Sequence, residues 1–443
     1  MVSVITSLSR ITILAYVLIF TLIDMILIFQ PKINETVEQI LTTIQIVMIV
    51  LFLTNSSVVL YMSTGNSLIL ILLLFQFVLF IGMSVLKNIL TDFAPGALIN
   101  NCMFFLSFSF LFLERLKLTM AVRQLIFAFI SLAVAAVVVV ILKRISDIHR
   151  FLFLFAAIGI LSLVLVCLMG NVEYGAKLSL SIGDISIQPS EFAKLSFLFF
   201  IGGCIVSFKD FRGFLFSSIG TVAHLLILVI SKDLGTALIF LLTYLFMIFI
   251  AYKNYIVLTL ELVVTAIGGV AVYNLFPHIR RRFIAWSDPL SVIENQGYQI
   301  SQSLFAIGTS GWLGAGINNG MPTKIPVVTK DFIFAAISEE MGGVVAVCLI
   351  ICMCCTMIYI FNQSFACSDS FYMLITGGFA LIFAIQTILN IGGVIKFIPS
   401  TGVTLPFVSY GGSSLLSMFV GIYIVLCCHE FSQDNTHKRR YYE

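Results

Sequence analysis

The sequence predicts an all-α, polytopic membrane protein: a helix bundle of about thirteen transmembrane helices with one long extracellular loop. Three observations carry that expectation. Sixty per cent of the 443 residues are hydrophobic and 10% are charged, where a soluble domain carries about a quarter charged residues. The apolar residues, 42 phenylalanines among them, gather into runs near twenty residues, the length that crosses hydrocarbon. The runs are continuous rather than alternating, which suits helices and not barrel strands. A net charge of +3 spread over short loops gives no argument for a nucleic-acid partner.

Taken in order, the runs centre on 11–29, 44–62, 68–86, 97–113, 120–142, 151–169, 191–207, 215–231, 235–252, 255–276, 332–361, 371–394 and 413–428. The first is too long for a cleaved signal peptide and reads as a retained span. Nine of the ten cysteines lie inside these runs, with Cys367 in a short loop. Spread this way they behave as small buried hydrophobes rather than a disulfide framework or zinc site. Basic residues set the orientation. Lys143, Arg144 and Arg150, then Lys209 and Arg212, then Lys438, Arg439 and Arg440 are mutually consistent on the cytoplasmic side. The loops at 170–190, 231–235, 277–331 and 395–412 then share the outer face, as does the N-terminus if every run spans.

Those four outer loops are also the polar, Gly/Pro-marked ones. In the first, Pro189 suits the opening turn of the next helix and Glu191 its positive end. Glu191 and Lys194 stand at i,i+3, so they pair on one face, either as a structural ion pair or with Lys194 facing an anionic group. In the second, Lys232 and Asp233 place opposite charges in a very short turn, for which a satisfied turn pair is the plainer reading. In the fourth, Pro399, Gly402, Pro406, Gly411 and Gly412 forbid a regular helix, so protein or a wet cavity must satisfy the backbone. Ser409, Tyr410, Ser413 and Ser414 supply hydroxyls there.

The third loop is the long one, and long loops of this kind are disproportionately functional. It carries Arg280, Arg281 and Arg282 and ends at Asp331, where the chain re-enters an apolar run holding Glu339 and Glu340. A helix through that run puts Glu339 about 80° around the axis from Asp331 and about 12 Å deeper, with Glu340 roughly opposite. Charges inside a span face the interior and mark function by default, the plainer alternative being a basic partner on another helix. Asp331, near the outer edge, is expected to be mildly desolvated, to stay ionised and to accept a proton. Asp24, His224 and Glu261 read as helix-contact residues. No metalloprotease, P-loop or nucleophile-elbow pattern appears.

QPSEFAK (188–194), KDLGTA (232–237), GYQISQSLFAIGTSGWLGAG (297–316), DFIFAAISEEMG (331–342) and NIGGVIKFIPSTGVTLPFVSYGGSS (390–414) together resemble the successive signatures of the SEDS family, the FtsW/RodA/SpoVE type of cell-wall glycosyltransferase. The order is the family's own, and the closing PxxGxxLPxxSYGGSS is highly specific. The resemblance implies three regions: additional N-terminal helices over 1–145, a SEDS-like core over 146–430 and a cytoplasmic tail over 431–443. It also implies a membrane enzyme that polymerises lipid II outside the cell membrane and releases undecaprenyl diphosphate. Such an enzyme works beside a class B penicillin-binding transpeptidase. The family's essential carboxylate falls on Asp331, and Glu191, Lys194, Glu339 and the Ser409, Tyr410, Gly411, Gly412 and Ser413 stretch would line the same cavity. The chain departs from the family at Thr329-Lys330, where His-Thr is usual, at Leu178-Ser179, at Ser231-Lys232 and at Lys396-Phe397.

The chemistry follows. A sugar 4-hydroxyl attacks well only as its proton is accepted, work that a carboxylate in hydrogen-bond reach performs for about 10²–10⁴ in rate. A diphosphate leaving group calls for positive charge, for which Arg280, Arg281, Arg282, Lys232, Lys194 and Lys330 are candidates. The sequence names no definite cofactor, and a divalent cation (Mg or Mn) could share that load. The Arg triplet could instead hold anionic membrane lipids. A precursor flippase and a non-catalytic scaffold for a transpeptidase remain the alternatives.

Overall fold

The structure is a computed structural model and describes residues 2–30, 34–91, 94–145, 147–173, 176–183, 185–208 and 211–432. Lys209, Lys438, Arg439 and Arg440, used above for orientation, lie outside the described residues. Ten long helices follow one another: α1 (Val2–Phe29), α2 (Glu35–Thr64), α3 (Leu68–Leu90), α4 (Gly96–Leu116), α5 (Leu118–Arg144), α6 (Leu152–Met169), α7 (Pro189–Ser207), α8 (Phe211–Ile230), α9 (Leu234–Tyr252) and α10 (Tyr255–Leu275). Two short helices come next, α11 (Pro277–Ser287) and α12 (Tyr298–Ser310), then α13 (Ile333–Met341), α14 (Gly343–Ala366), α15 (Ser370–Val394) and α16 (Gly412–Leu426). Among the described residues twelve helices, α1 to α10 with α14 and α15, are long and apolar enough to cross a membrane, and α16 is a shorter apolar thirteenth. The protein is a multi-pass membrane protein.

The helix ends follow from local chemistry. Asn34 accepts from the Thr36 amide to cap α2, and Gly65, at φ +72, closes it by donating to Tyr61 O, the left-handed ending glycine allows. Asn254 caps α10 through the Ile256 and Val257 amides, and Pro189 opens α7.

The chain divides into two compact units. The first comprises 1–130, 281–359 and 387–411. Its interior is built on α4, whose residues are nearly all buried. Phe104 stacks on Phe20 at 4.1 Å, and Phe108 meets Phe52 at 4.9 Å. The second comprises 131–280, 360–386 and 412–443. There Phe197 of α7 packs on Phe240 of α9 at 4.5 Å and edge-on to His224 at 5.2 Å. By contrast α10 has no buried residue.

Three features depart from the sequence reading. The first outer loop forms a small antiparallel meander, β1 (Asn171–Glu173), β2 (Ala176–Ile182) and β3 (Ile185–Ile187), with Leu180 opposite Ile187. The alternation KLSLSI is the period-two signal for it. The long loop is not irregular throughout, since α11 and α12 lie within it. The run expected to span 332–361 is two helices broken at Gly342, which sits at φ +91. A Cβ there would come within 2.3 Å of Gly314 N, so the close crossing of two backbones dictates the break.

Candidate functional site

Asp331 occupies a turn just ahead of α13, not the helix itself. Asn390, one polar residue in the apolar α15, holds the turn by donating to Asp331 O at 3.0 Å and to Val403 O at 2.7 Å. Ser409 Oγ bonds Lys330 O, and the Tyr410 amide donates to Thr329 O at 2.9 Å. Gln124 of α5 donates to Ser409 O at 3.2 Å and accepts from the Gly411 amide at 3.3 Å. The Asp331 backbone is thus anchored from α15 and from the 396–411 loop, which Gln124 fixes in turn. The surrounding backbone is strained: Val327 and Phe407 sit at φ 56 and 60, values a bulky residue rarely adopts.

The Asp331 carboxylate itself is half-buried and accepts no hydrogen bond from the described residues. Its neighbours are charges. A Cβ placed on Gly402 would stand 3.7 Å from Asp331 Oδ2 and 3.8 Å from Arg282 Nη2, so both groups border the same exposed glycine. Arg282 is aimed there by donating from Nη1 to Ser400 O at 3.1 Å, while Trp286, one turn further along α11, donates to Lys396 O at 3.2 Å. Burial pushes the Asp331 carboxyl above its ordinary 3.8, and the Lys330 and Arg282 charges pull it back down. Burial is the first of these influences, as desolvation disfavours the charged form.

The three arginines of the triplet are directed differently, because successive residues of a helix point about 100° apart. Arg282 turns to the Ser400–Gly402 stretch. Arg280 reaches back to Asn274 O at 3.4 Å and lies over the Tyr273 ring at 5.8 Å, and Arg281 is exposed.

Asp331 lies ahead of α13 and not in it, so the helical phase used above does not relate it to Glu339 and Glu340. Both are held by the 315–321 stretch. Glu339 Oε1 accepts from the Met321 amide at 2.8 Å, and Glu340 Oε2 from the Asn318 amide at 3.1 Å. Glu340 also pairs with Arg115 of α4 at 3.1 Å. Glu339 Oε2 is buried with no partner among the described residues.

In the second unit the pair expected from i,i+3 spacing forms. Lys194 Nζ meets Glu191 Oε2 at 2.7 Å with both side chains buried. Gln386 Oε1 accepts from Lys194 at 2.9 Å, and Ser417 Oγ donates to Glu191 at 3.0 Å. Ser413 Oγ accepts from the Gln188 amide at 2.9 Å, one residue after Gly412 opens α16. Lys232 and Asp233 do not pair with each other. Asp233 caps α9 through the Thr236 amide and accepts from Ser190 Oγ at 3.2 Å. Burial pushes its carboxyl up. Lys232 is exposed, in a left-handed conformation at φ 63.

For a divalent cation, no three His, Cys, Asp or Glu side chains converge among the described residues. Sequence reasoning missed Gln124, Gln386, Asn390 and Ser417. Each is a polar residue within a mostly apolar helix: Gln124 and Asn390 satisfy the backbone of the site loops, and Gln386 and Ser417 satisfy the Glu191–Lys194 pair.

Comparison with known proteins gives a consistent answer. The FtsW/RodA/SpoVE family profile, described as cell cycle protein, matches residues 90–434. The peptidoglycan glycosyltransferase RodA of Mycobacterium tuberculosis is 32% identical over 323 residues, covering 67% of this chain and 68% of that one. The probable peptidoglycan glycosyltransferase FtsW of Aliivibrio salmonicida is 31% identical over 322 residues, covering 69% and 78%. A chain from a solved peptidoglycan synthase complex, in a study of how polymerization and crosslinking are coordinated, superposes with a TM-score of 0.67 at 25% identity. It covers 77% of this chain and 99% of its own. The rod shape determining protein RodA of Thermus thermophilus superposes at 0.58 with 22% identity, and shares the fold.

Proposed function

The chain belongs to the FtsW/RodA/SpoVE family, and from that premise we propose that it is a peptidoglycan glycosyltransferase with Asp331 as its general base. The substrate is lipid II. An acceptor 4-hydroxyl loses its proton to Asp331 as its oxygen attacks the sugar carbon bearing the diphosphate. The new glycosidic bond forms as the carbon–oxygen bond to undecaprenyl diphosphate breaks, and the electron pair leaves with the diphosphate. Arg282 and Lys330 oppose the charge that gathers there. One observation carries the reading: a carboxylate on a tightly bonded turn, itself unbonded, borders the same exposed glycine as a guanidinium. A base kept from hydrogen-bond donors is available to a substrate proton.

The Ser409–Tyr410–Gly411 stretch shapes the floor under Asp331. Arg281 and Glu339, in the same unit as Asp331, remain within the proposal as groups for the sugar–diphosphate or its lipid, while Glu191 and Lys194 are engaged with each other. A class B penicillin-binding transpeptidase is the partner we propose, since a solved relative sits in a peptidoglycan synthase complex. The test is incubation of the purified chain with lipid II, with and without that partner, and separation of glycan products on a gel. Polymer is expected, and Asp331→Asn should lower its rate by about 10²–10⁴. Full activity in Asp331→Asn would remove the base assignment, and transport of lipid II without polymer would remove the enzyme.

A further inference from the structure

Helices α1 to α3 lie upstream of the family-matched stretch, yet α1 touches the core at a sensitive place. The residues following Asp331 form α13, nine residues long, and its far end is held by the 311–321 stretch. The Ala315 and Gly316 amides donate to Glu339 O and Glu340 O at 2.9 and 2.8 Å, and the Met321 and Asn318 amides hold the two carboxylates. The first amides of α14, Gly343 and Val344, donate to Gly311 O and Trp312 O at 3.0 and 3.2 Å. This stretch therefore fixes both sides of the break at Gly342. Two arginines hold the stretch in turn. Arg115 of α4 reaches Gly320 O, and Arg10 of α1 donates from Nε to Leu313 O at 2.7 Å.

The N-terminal helices are themselves firmly seated in this unit. Asp24 of α1 accepts from Asn101 of α4 at 3.0 Å, and Asn101 also reaches Thr356 of α14. Asn55 of α2 donates to Thr12 of α1 at 2.6 Å. Arg10 thus projects from a fixed helix onto one carbonyl of the brace, through a charge-assisted bond of the stronger kind.

We propose that Arg10 is a positioning residue for Asp331. Holding Leu313 O fixes the 311–316 stretch and the α13–α14 break, and so sets where the turn bearing Asp331 stands. The N-terminal helices then act as a clamp on catalysis rather than as inert spans. This inference rests on the glycosyltransferase reading for its activity readout, but not for its structural one.

The experiment uses the full chain with Arg10→Ala, Arg10→Lys and Leu313→Ala. Hydrogen exchange should quicken in Arg10→Ala over 311–316 and at the Gly343 and Val344 amides. The Lys variant, still a donor, should restore much of the protection, and Leu313→Ala, which keeps the carbonyl, should match the parent. With lipid II, Arg10→Ala should lower kcat by about tenfold with KM within about twofold, and Arg10→Lys should recover most of it. Unchanged exchange in folded Arg10→Ala would overturn the proposal, as would a kcat loss that Arg10→Lys fails to recover. Should Arg10→Ala not fold, Arg10→Lys against the parent decides by the same exchange readout, a parental pattern supporting the clamp and a loosened brace opposing it. If exchange behaves as expected while the parent makes no polymer, the function assignment fails and the clamp stands.

Discussion

Asp331 and Glu191 are both carboxylates in the polar segments of an apolar protein, and the chain treats them in opposite ways. Glu191 is buried and fully engaged, with Lys194 at 2.7 Å and Ser417 at 3.0 Å, while Gln386 takes the far side of the lysine. Asp331 has its backbone bonded and its carboxylate left open beside Arg282 at Gly402. A charge so engaged holds helices together and has no capacity left for a substrate. A charge left unbonded in this way is positioned by its main chain and kept available by what is withheld from its side chain. Stability and reactivity are assigned to different carboxylates.

The contrast is testable in both directions. The largest expected effect is at the open carboxylate: Asp331→Asn should lower glycan polymerisation by about 10²–10⁴ and leave the thermal midpoint unchanged or higher. The sign follows from linkage. A carboxyl raised above 3.8 by burial favours the protonated form in the folded state, so its ionisation opposes folding as pH rises, and the amide removes that opposition. Next is the engaged pair. Lys194→Met or Glu191→Gln leaves one buried charge uncompensated, at a cost of about 3–5 kcal/mol in stability. Thermal unfolding in detergent should show this, and the double variant should recover part of the loss. A smaller effect belongs to Gly402→Ala. Its φ of +76 makes a side chain unfavourable by about 1 kcal/mol, and its Cβ would lie in contact with both Asp331 and Arg282. Activity should fall further than stability does. Equal losses would mean the glycine serves the turn alone.

Much of this was legible in the amino-acid order, for a physical reason. A span of twenty apolar residues has few alternatives in lipid, so the long helices were readable, as was the Glu191–Lys194 spacing on one helical face. The break at Gly342 was not, because FIFAAISEEMGGVVAVCLIICM reads as one apolar run. Only the packing of Gly342 against Gly314 shows that the chain must turn there. Arg280, Arg281 and Arg282 likewise read as one patch, and only the helical phase of α11 singles out Arg282. Gln124 and Asn390 looked like isolated polar residues until the irregular 396–411 backbone supplied carbonyls and amides for them to satisfy.

The central claim is that an open, partly desolvated carboxylate beside Arg282 takes the substrate proton, and the pH dependence of polymerisation by the intact chain tests it most directly. Such a base must be ionised, so activity should rise through an acidic limb lying above the ordinary carboxylate value of 3.8. Arg282 pulls that value down, so Arg282→Gln should carry the limb to higher pH as well as lowering the plateau. A limb at or below 3.8, or one that stays in place when Arg282 is replaced, would contradict the account.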